Sequence, residues 1–282
     1  PIQEFTKGAK LFIHNLKKDL MWLYEVERES LFGKQIVDYV IWSEVFYCPN
    51  CLSEYPFSQV GFDFEAKSPR DNLTCPECGV EMGPNDLERA LETSGKTKVK
   101  PVRVKYLSKK RVKEMDISKA DLEILEEVEI ASIPYKYPNE LMMDLDNNDD
   151  GWGDMWRRGY HSGMERVSDF YHKRTLWVLA AALEHLENLE VSSSIKHLLR
   201  SVIVNLSTSM TKMRRAYQGV LPLVLYIPKL QREVNVIINL ERKLERLKKI
   251  LHHFPNKKNH IVTTQSSTSL SQIPDNSIDY VF

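Results

Sequence analysis

Four cysteines fall in two pairs, Cys48-Pro-Asn-Cys51 and Cys75-Pro-Glu-Cys78-Gly79, and the 282-residue chain has no others. A Cys-x-x-Cys turn aims two thiolates at one point, and two such turns supply the tetrahedral sulfur shell that zinc favours. Proline and glycine in the knuckles let the backbone turn around the metal. The pairs are 23 residues apart, slightly more than usual, and a hairpin over 53–73 absorbs the excess. Two disulfides are the competing chemistry, disfavoured in a reducing compartment. A thioredoxin-type redox pair needs only one such motif beside a βαβ unit. The spacing therefore predicts one zinc on Cys48, Cys51, Cys75 and Cys78. Four thiolates leave no position for water, so the metal is structural, and it contributes on the order of 10 kcal/mol or more to folding the module.

Other residues offer chemistry that their surroundings do not complete. Asp146-Asn-Asn148-Asp-Asp150-Gly151 matches the first half of a calcium loop, but Arg157 stands at the twelfth position, where a bidentate Glu is required. His161 and His172 have no cysteine or carboxylate at metal-ligand spacing and read as solvated or hydrogen-bonded histidines. The Ser and Thr residues of 263–271 lack a Gly-x-Ser-x-Gly frame. No glycine-rich phosphate loop occurs, and no catalytic constellation is complete. Basic clusters stand out instead: nine Lys or Arg and no acid in 96–113, then Trp156-Arg157-Arg158-Gly159-Tyr160, His172-Lys173-Arg174 and Lys212-Met-Arg214-Arg215. Arginines beside aromatics suit phosphate contacts and base stacking. The competing reading is a solvated face balanced by the acidic segments 121–129 and 144–154.

These residues need elements to hold them. Apolar spacing predicts a helix over 8–27, a strand over 34–47 entering the first knuckle, and a short helix at 85–91. Valines and Tyr106 interleaved with lysines predict a strand pair over 96–113. Ser118, with Asp121 three residues on, starts a helix ending near Glu129 in capping-box style. A long irregular loop covers 134–160. Helices follow over 171–189, 193–217 and 232–253, with a buried hairpin or strand at 219–230. Ile237, Leu240, Leu244, Leu247 and Leu251 keep heptad spacing for only two heptads, so core packing rather than a coiled coil is expected. The polar stretch 255–271 reads as a connector, and the turn at 274–277 leads into Ile278-Asp279-Tyr280-Val281-Phe282, an apolar strand.

Composition sets the outer limits. With 39 basic and 39 acidic residues the net charge is zero, so attraction to nucleic acid must come from local patches. No apolar run spans a bilayer and no secretory signal opens the chain, so a cytoplasmic protein without membrane contact is expected. An opening Pro and a close inside a strand read as the interior of a longer protein.

The segment WGDMWRRGYHSGMERVSDFYHKRTLWVLAAALEHL, the ribbon preceded by VIWSEVFYCPNC, the later GVLPLVLYIPKLQREVNVIINLERK and the closing SLSQIPDNSIDYVF together resemble a bacterial and phage DNA methylase family, the N6-adenine and N4-cytosine amino-methyltransferases. The resemblance covers essentially the whole chain. It implies that an Asp-Pro-Pro-Tyr or Asp-Pro-Pro-Phe catalytic motif follows Phe282 and that an S-adenosylmethionine loop precedes Pro1. No catalytic or cofactor-binding residue carries over, and the chain alone is expected to be inactive. The implied fold is α+β: a mostly helical region carrying a zinc ribbon and ending on a strand of an α/β methyltransferase sheet. The expected segments are 1–34 (helix), 35–95 (ribbon), 96–135 (basic strands and helix), 136–260 (helical target-recognition region) and 261–282 (start of the catalytic domain). The expected partner is double-stranded DNA, with Arg157, Arg158, Lys173, Arg174, Arg214 and Arg215 as candidate contacts. A zinc-ribbon adaptor that binds nucleic acid or protein without catalysis is the alternative.

Overall fold

The computed structural model describes residues 2–28, 33–83, 85–107, 113–141, 164–221 and 224–253. The strand expected at the chain's end, the loop over 146–157, His161, Arg157 and Arg158 lie outside them. Within the described residues the chain is mixed α+β, with six α-helices and a seven-stranded antiparallel sheet. No helix among the described residues is long and apolar enough to cross a membrane.

Helix α1 (Ile2–Leu20) buries Phe5, Ala9, Phe12, Ile13, Leu16 and Leu20, one stripe at three- and four-residue spacing. It stops seven residues before the expected Glu27. A 3₁₀ turn, Met21–Tyr24, leads into β1 (Glu25–Arg28), which pairs with the start of β2 (Gly33–Tyr47) from Glu25↔Ile36 to Arg28↔Gly33. The alternation around Val26 and its ladder override the helical period that extends through Leu23 and Tyr24.

Strand β2 runs 15 residues and organises everything else. Its far end meets β3 (Glu54–Pro56). Helix α2 (Phe57–Gly61), the small hairpins β4 (Phe62–Asp63) with β5 (Ser68–Pro69) and β6 (Leu73–Thr74) with β7 (Glu81–Met82), and β8 (Glu88–Arg89) complete the ribbon. The helix expected over 85–91 is instead β8, because Phe46 and Tyr47 of β2 pair with Arg89 and Glu88. The basic stretch forms one strand, β9 (Val99–Tyr106), lying along β2 and followed on its other side by β10 (Met115–Asp116).

Helix α3 (Lys119–Ile130) starts as expected: Ser118 Oγ accepts from the Asp121 amide, and Asp121 accepts from the Ser118 amide at 2.9 Å. Helix α4 (Lys173–Glu187) is buried over most of its length, with Trp177 set edge-on against Trp22 at 5.7 Å. Helix α5 (Ser193–Ser207) ends ten residues before the expected Tyr217, in a 3₁₀ turn at Thr208–Met210. Residues 230–234, expected to fall partly within the last helix, form β11 (Leu230–Val234) on the opposite side of β2 from β9. Helix α6 (Val236–His253) begins where Asn235 Oδ1 accepts from the Ile238 amide at 3.2 Å. Ile237, Leu240 and Leu244 are buried, as core packing requires.

The main core draws side chains from α1, β1, β2, β9, β11 and α3 to α6. Described residues from 1–34, 96–135 and 136–260 all contribute to this interior. The ribbon has its own small core of Phe46, Tyr55, Val60, Leu73 and Met82, joined to the rest through β2.

Candidate metal centre and basic sheet face

The two knuckles bring the four sulfur atoms within 4.8 Å of one another. Cys48 and Cys75 are buried, and Cys51 and Cys78 are exposed. Two Sγ–Sγ distances, Cys48 to Cys78 and Cys51 to Cys75, are 3.7 Å. A tetrahedron with metal–sulfur bonds of about 2.3 Å has edges of about 3.8 Å. The residues fit a four-thiolate zinc site. The two buried sulfurs differ: desolvation raises the Cys75 thiol, but the amides of Cys78 and Glu77 and the Ser53 hydroxyl bring it down to about 6, whereas burial pushes the Cys48 thiol up to about 11. Each knuckle turns by a backbone bond to its first cysteine, Leu52 N to Cys48 O and Gly79 N to Cys75 O, both 3.0 Å. Leu52 (φ 59°) and Gly79 (φ 72°) take the left-handed conformation there. Glycine adopts it freely, whereas leucine is strained.

Beside the ribbon, one face of the sheet carries cations interleaved with aromatic rings. Phe62 of β4 lies parallel to Tyr217 at 5.6 Å, packing the ribbon hairpin onto this face. Arg103 sits over Phe64 at 4.7 Å, Lys105 over Tyr39 at 5.7 Å, and Lys67 over Tyr217 at 5.2 Å. Arg232 lies against both Tyr39 (4.7 Å) and Tyr217 (5.6 Å). Glu114 accepts a 2.5 Å hydrogen bond from each of these tyrosine hydroxyls and fixes the rings.

The other face opens into a cleft of about 910 Å³, lined by Trp42, Lys96, His172, Lys212, Gln231 and Glu233 among others. Its charges are largely engaged with each other. Arg174 Nη2 donates to Glu233 Oε2 at 2.9 Å and Nε donates to Oε1 at 3.0 Å, with both side chains buried. Lys96 Nζ meets Asp169 at 2.6 Å. His172 stacks on Trp42 at 4.7 Å, and Gln231 lies alongside without closing a hydrogen bond to Nε2. Burial holds the imidazole down to about 3 and brings the Lys212 ammonium, crowded by Lys96, down to about 8.

The sequence-derived DNA contacts separate in this frame. Arg174 is corrected: at 2% exposure and doubly bonded to Glu233, it holds α4 to β11 and cannot reach a phosphate. Lys173 bonds to the Glu129 carbonyl. Arg215 donates to the Gly219 carbonyl at 3.0 Å from a partly exposed position. Arg214 lies beside Arg232, and burial together with that like charge lowers its pKa. His172, expected to be solvated or hydrogen-bonded, is buried in a stack. Arg103 and Lys105 belong to the basic stretch 96–113 without being among the candidate contacts, and alternation along 99–106 is the signal that marks them. Arg232 escapes sequence reasoning because helical spacing places it in the last helix. Comparison with family models, curated proteins and solved structures found no match.

Proposed function

We propose that this chain is the zinc-stabilised DNA-binding part of an S-adenosylmethionine-dependent DNA amino-methyltransferase acting on adenine N6 or cytosine N4. The observation that carries the reading is the pairing of a four-thiolate ribbon with a basic, aromatic sheet face onto which the ribbon packs. Cations beside rings suit a phosphate backbone and exposed base faces, whereas a net charge of zero provides no general attraction.

In this reading Cys48, Cys51, Cys75 and Cys78 hold zinc, whose chemistry is to cross-link the ribbon. The cations of the sheet face contact phosphates and set the register of the protein on DNA. An exocyclic amine in duplex DNA reaches a methyl donor only after its base leaves the stack. The catalytic and cofactor motifs implied by the resemblance belong to the whole enzyme. The chain by itself binds DNA without transferring methyl groups.

The test is a titration of labelled duplex DNA with zinc-loaded chain at several salt concentrations, alongside methyl-transfer assays of the extended reading frame. Salt-sensitive duplex binding together with methylated adenine or cytosine supports the proposal. Binding without methylation by the extended protein would leave the adaptor reading, and no duplex binding at low salt would end both DNA readings.

A further inference from the structure

Sheet register aligns residues that the chain keeps far apart. Ile41 of β2 faces Arg103 of β9 on one side and Arg232 of β11 on the other. Beyond β11, Arg215 bridges Gln231 and the Arg232 amide donates to the Arg214 carbonyl at 2.9 Å, which sets Arg214 next to Arg232. Residues directly opposite in antiparallel pairs share a face. Arg103, Arg232 and Arg214 therefore stand in one row across the sheet. With neighbouring strands about 4.8 Å apart, the row is roughly 14 Å long.

The row's charges are poorly compensated from within. Arg103 meets Asp116 at 3.0 Å, but that carboxylate side chain is 87% exposed. Among the described residues no carboxylate forms an ion pair with Arg214 or Arg232. Arg214 Nη1 donates to the Ser209 carbonyl at 3.1 Å, but each of these arginines keeps a buried Nε without a hydrogen-bond partner. Adjacent guanidinium groups with unmet donors destabilise a fold unless an anion meets them. The nearby carboxylate of Glu114 is engaged by two tyrosine hydroxyls. Lys105 and Lys67 add charge on either side of the row through their contacts with Tyr39 and Tyr217.

We propose that this arginine row is an anion track that seats the sugar–phosphate backbone of duplex DNA, with one strand of the duplex bridging Arg103 on one side and Arg232 and Arg214 on the other of the point where Phe62 and Tyr217 cover Ile41. The proposal rests on the DNA-binding reading above and names its surface. A linear row of donors matches a linear polyanion. Each strand carries one phosphate per about 3.4 Å of helix axis and its path is inclined to that axis, so the row spans at most about four phosphates.

The experiment measures fluorescence anisotropy of a labelled duplex with wild type, the single variants R103Q, R214Q and R232Q, the triple variant, and the control K10Q/K18Q on α1. Each arginine–phosphate pair removed by substitution should lower the log–log salt slope by about 0.9, so the triple variant falls by between about two and three while the control keeps the wild-type slope. Arginine-directed footprinting of the wild-type protein should show Arg103, Arg214 and Arg232 protected by DNA, a readout that does not depend on any variant folding. Wild-type binding with an unchanged slope in the triple variant, or footprints outside the row, overturns the track and leaves the DNA reading intact. Preference for single-stranded RNA or for polyglutamate over duplex overturns the chosen partner. Absence of duplex binding by the wild type overturns the DNA reading itself.

Discussion

Arg174 and Glu233 exchange two hydrogen bonds in a buried position, and Trp42 Nε1 donates a third to the same carboxylate at 2.9 Å. Removing one partner strands a buried charge, so Arg174→Met should cost about 3–5 kcal/mol in urea unfolding, and adding Glu233→Leu should recover much of it. His172 makes a second prediction. Its folded pKa of about 3 lies below the unfolded value of 6.5, so between these limits the unfolded chain binds the extra proton. Stability should therefore fall as pH drops through that window, at a limiting slope of about 1.4 kcal/mol per unit from this residue. Glu233 opposes the shift, while Lys212 and Arg174 reinforce it. A His172→Gln variant unfolded across the window should show a shallower pH dependence than wild type, and an identical curve would reject the assignment. Neither role is legible in the sequence. His172-Lys173-Arg174 reads as a surface cluster because the carboxylate that balances it lies 59 residues from Arg174 along the chain.

The ribbon and the helical core are distinct elements with separate interiors. Chelation or Cys75→Ser should abolish binding of the single zinc measured by metal analysis and raise amide exchange over 48–83. Helical circular dichroism should stay near its original value, since α1 and α3 to α6 pack elsewhere. Loss of the helical signal together with the ribbon would mean that the two units fold as one. At the capped end of α3, Ser118→Ala should cost about 1 kcal/mol. The cysteine pairs, the capping box and the alternation of β2 are readable because each is a local pattern whose chemistry is complete within a few residues. The ends of α1 and α5 and the start of α6 are not. In each case helical spacing runs on past the point where a ladder or a turn takes over, as at Val26 and at Arg232.

At the scale of the molecule, charged surfaces arise from register rather than from composition. A chain with equal numbers of acids and bases still concentrates cations on one sheet face, since β9 brings Arg103 and Lys105 and β11 brings Arg232 to the side where β2 sets Tyr39 and Ile41. The basic stretch of β9 is visible in the sequence, but Arg103, Arg214 and Arg232 are neighbours only after the strands pair. The same principle explains the divided fate of the residues chosen as DNA contacts: Arg214 joins the row, whereas Arg174, only one residue beyond Lys173, turns inward.

The pairing of Tyr47 with Glu88 has a surgical consequence. Those two residues face each other across an antiparallel ladder, so the four-cysteine excursion starts and ends at one rung, touching the sheet in between through β3, which pairs with the other side of the same end of β2. An Asn-Gly tight turn joining Tyr47 to Glu88 would replace the excursion with an ordinary hairpin. The shortened protein is expected to keep its helical core and to give up the four cysteines, the β3 ladder on β2 and the packing of Lys67 and Phe62 on Tyr217. In heritable terms, a reading frame can gain or shed this ribbon at a single strand crossing without disturbing the order of the helices around it.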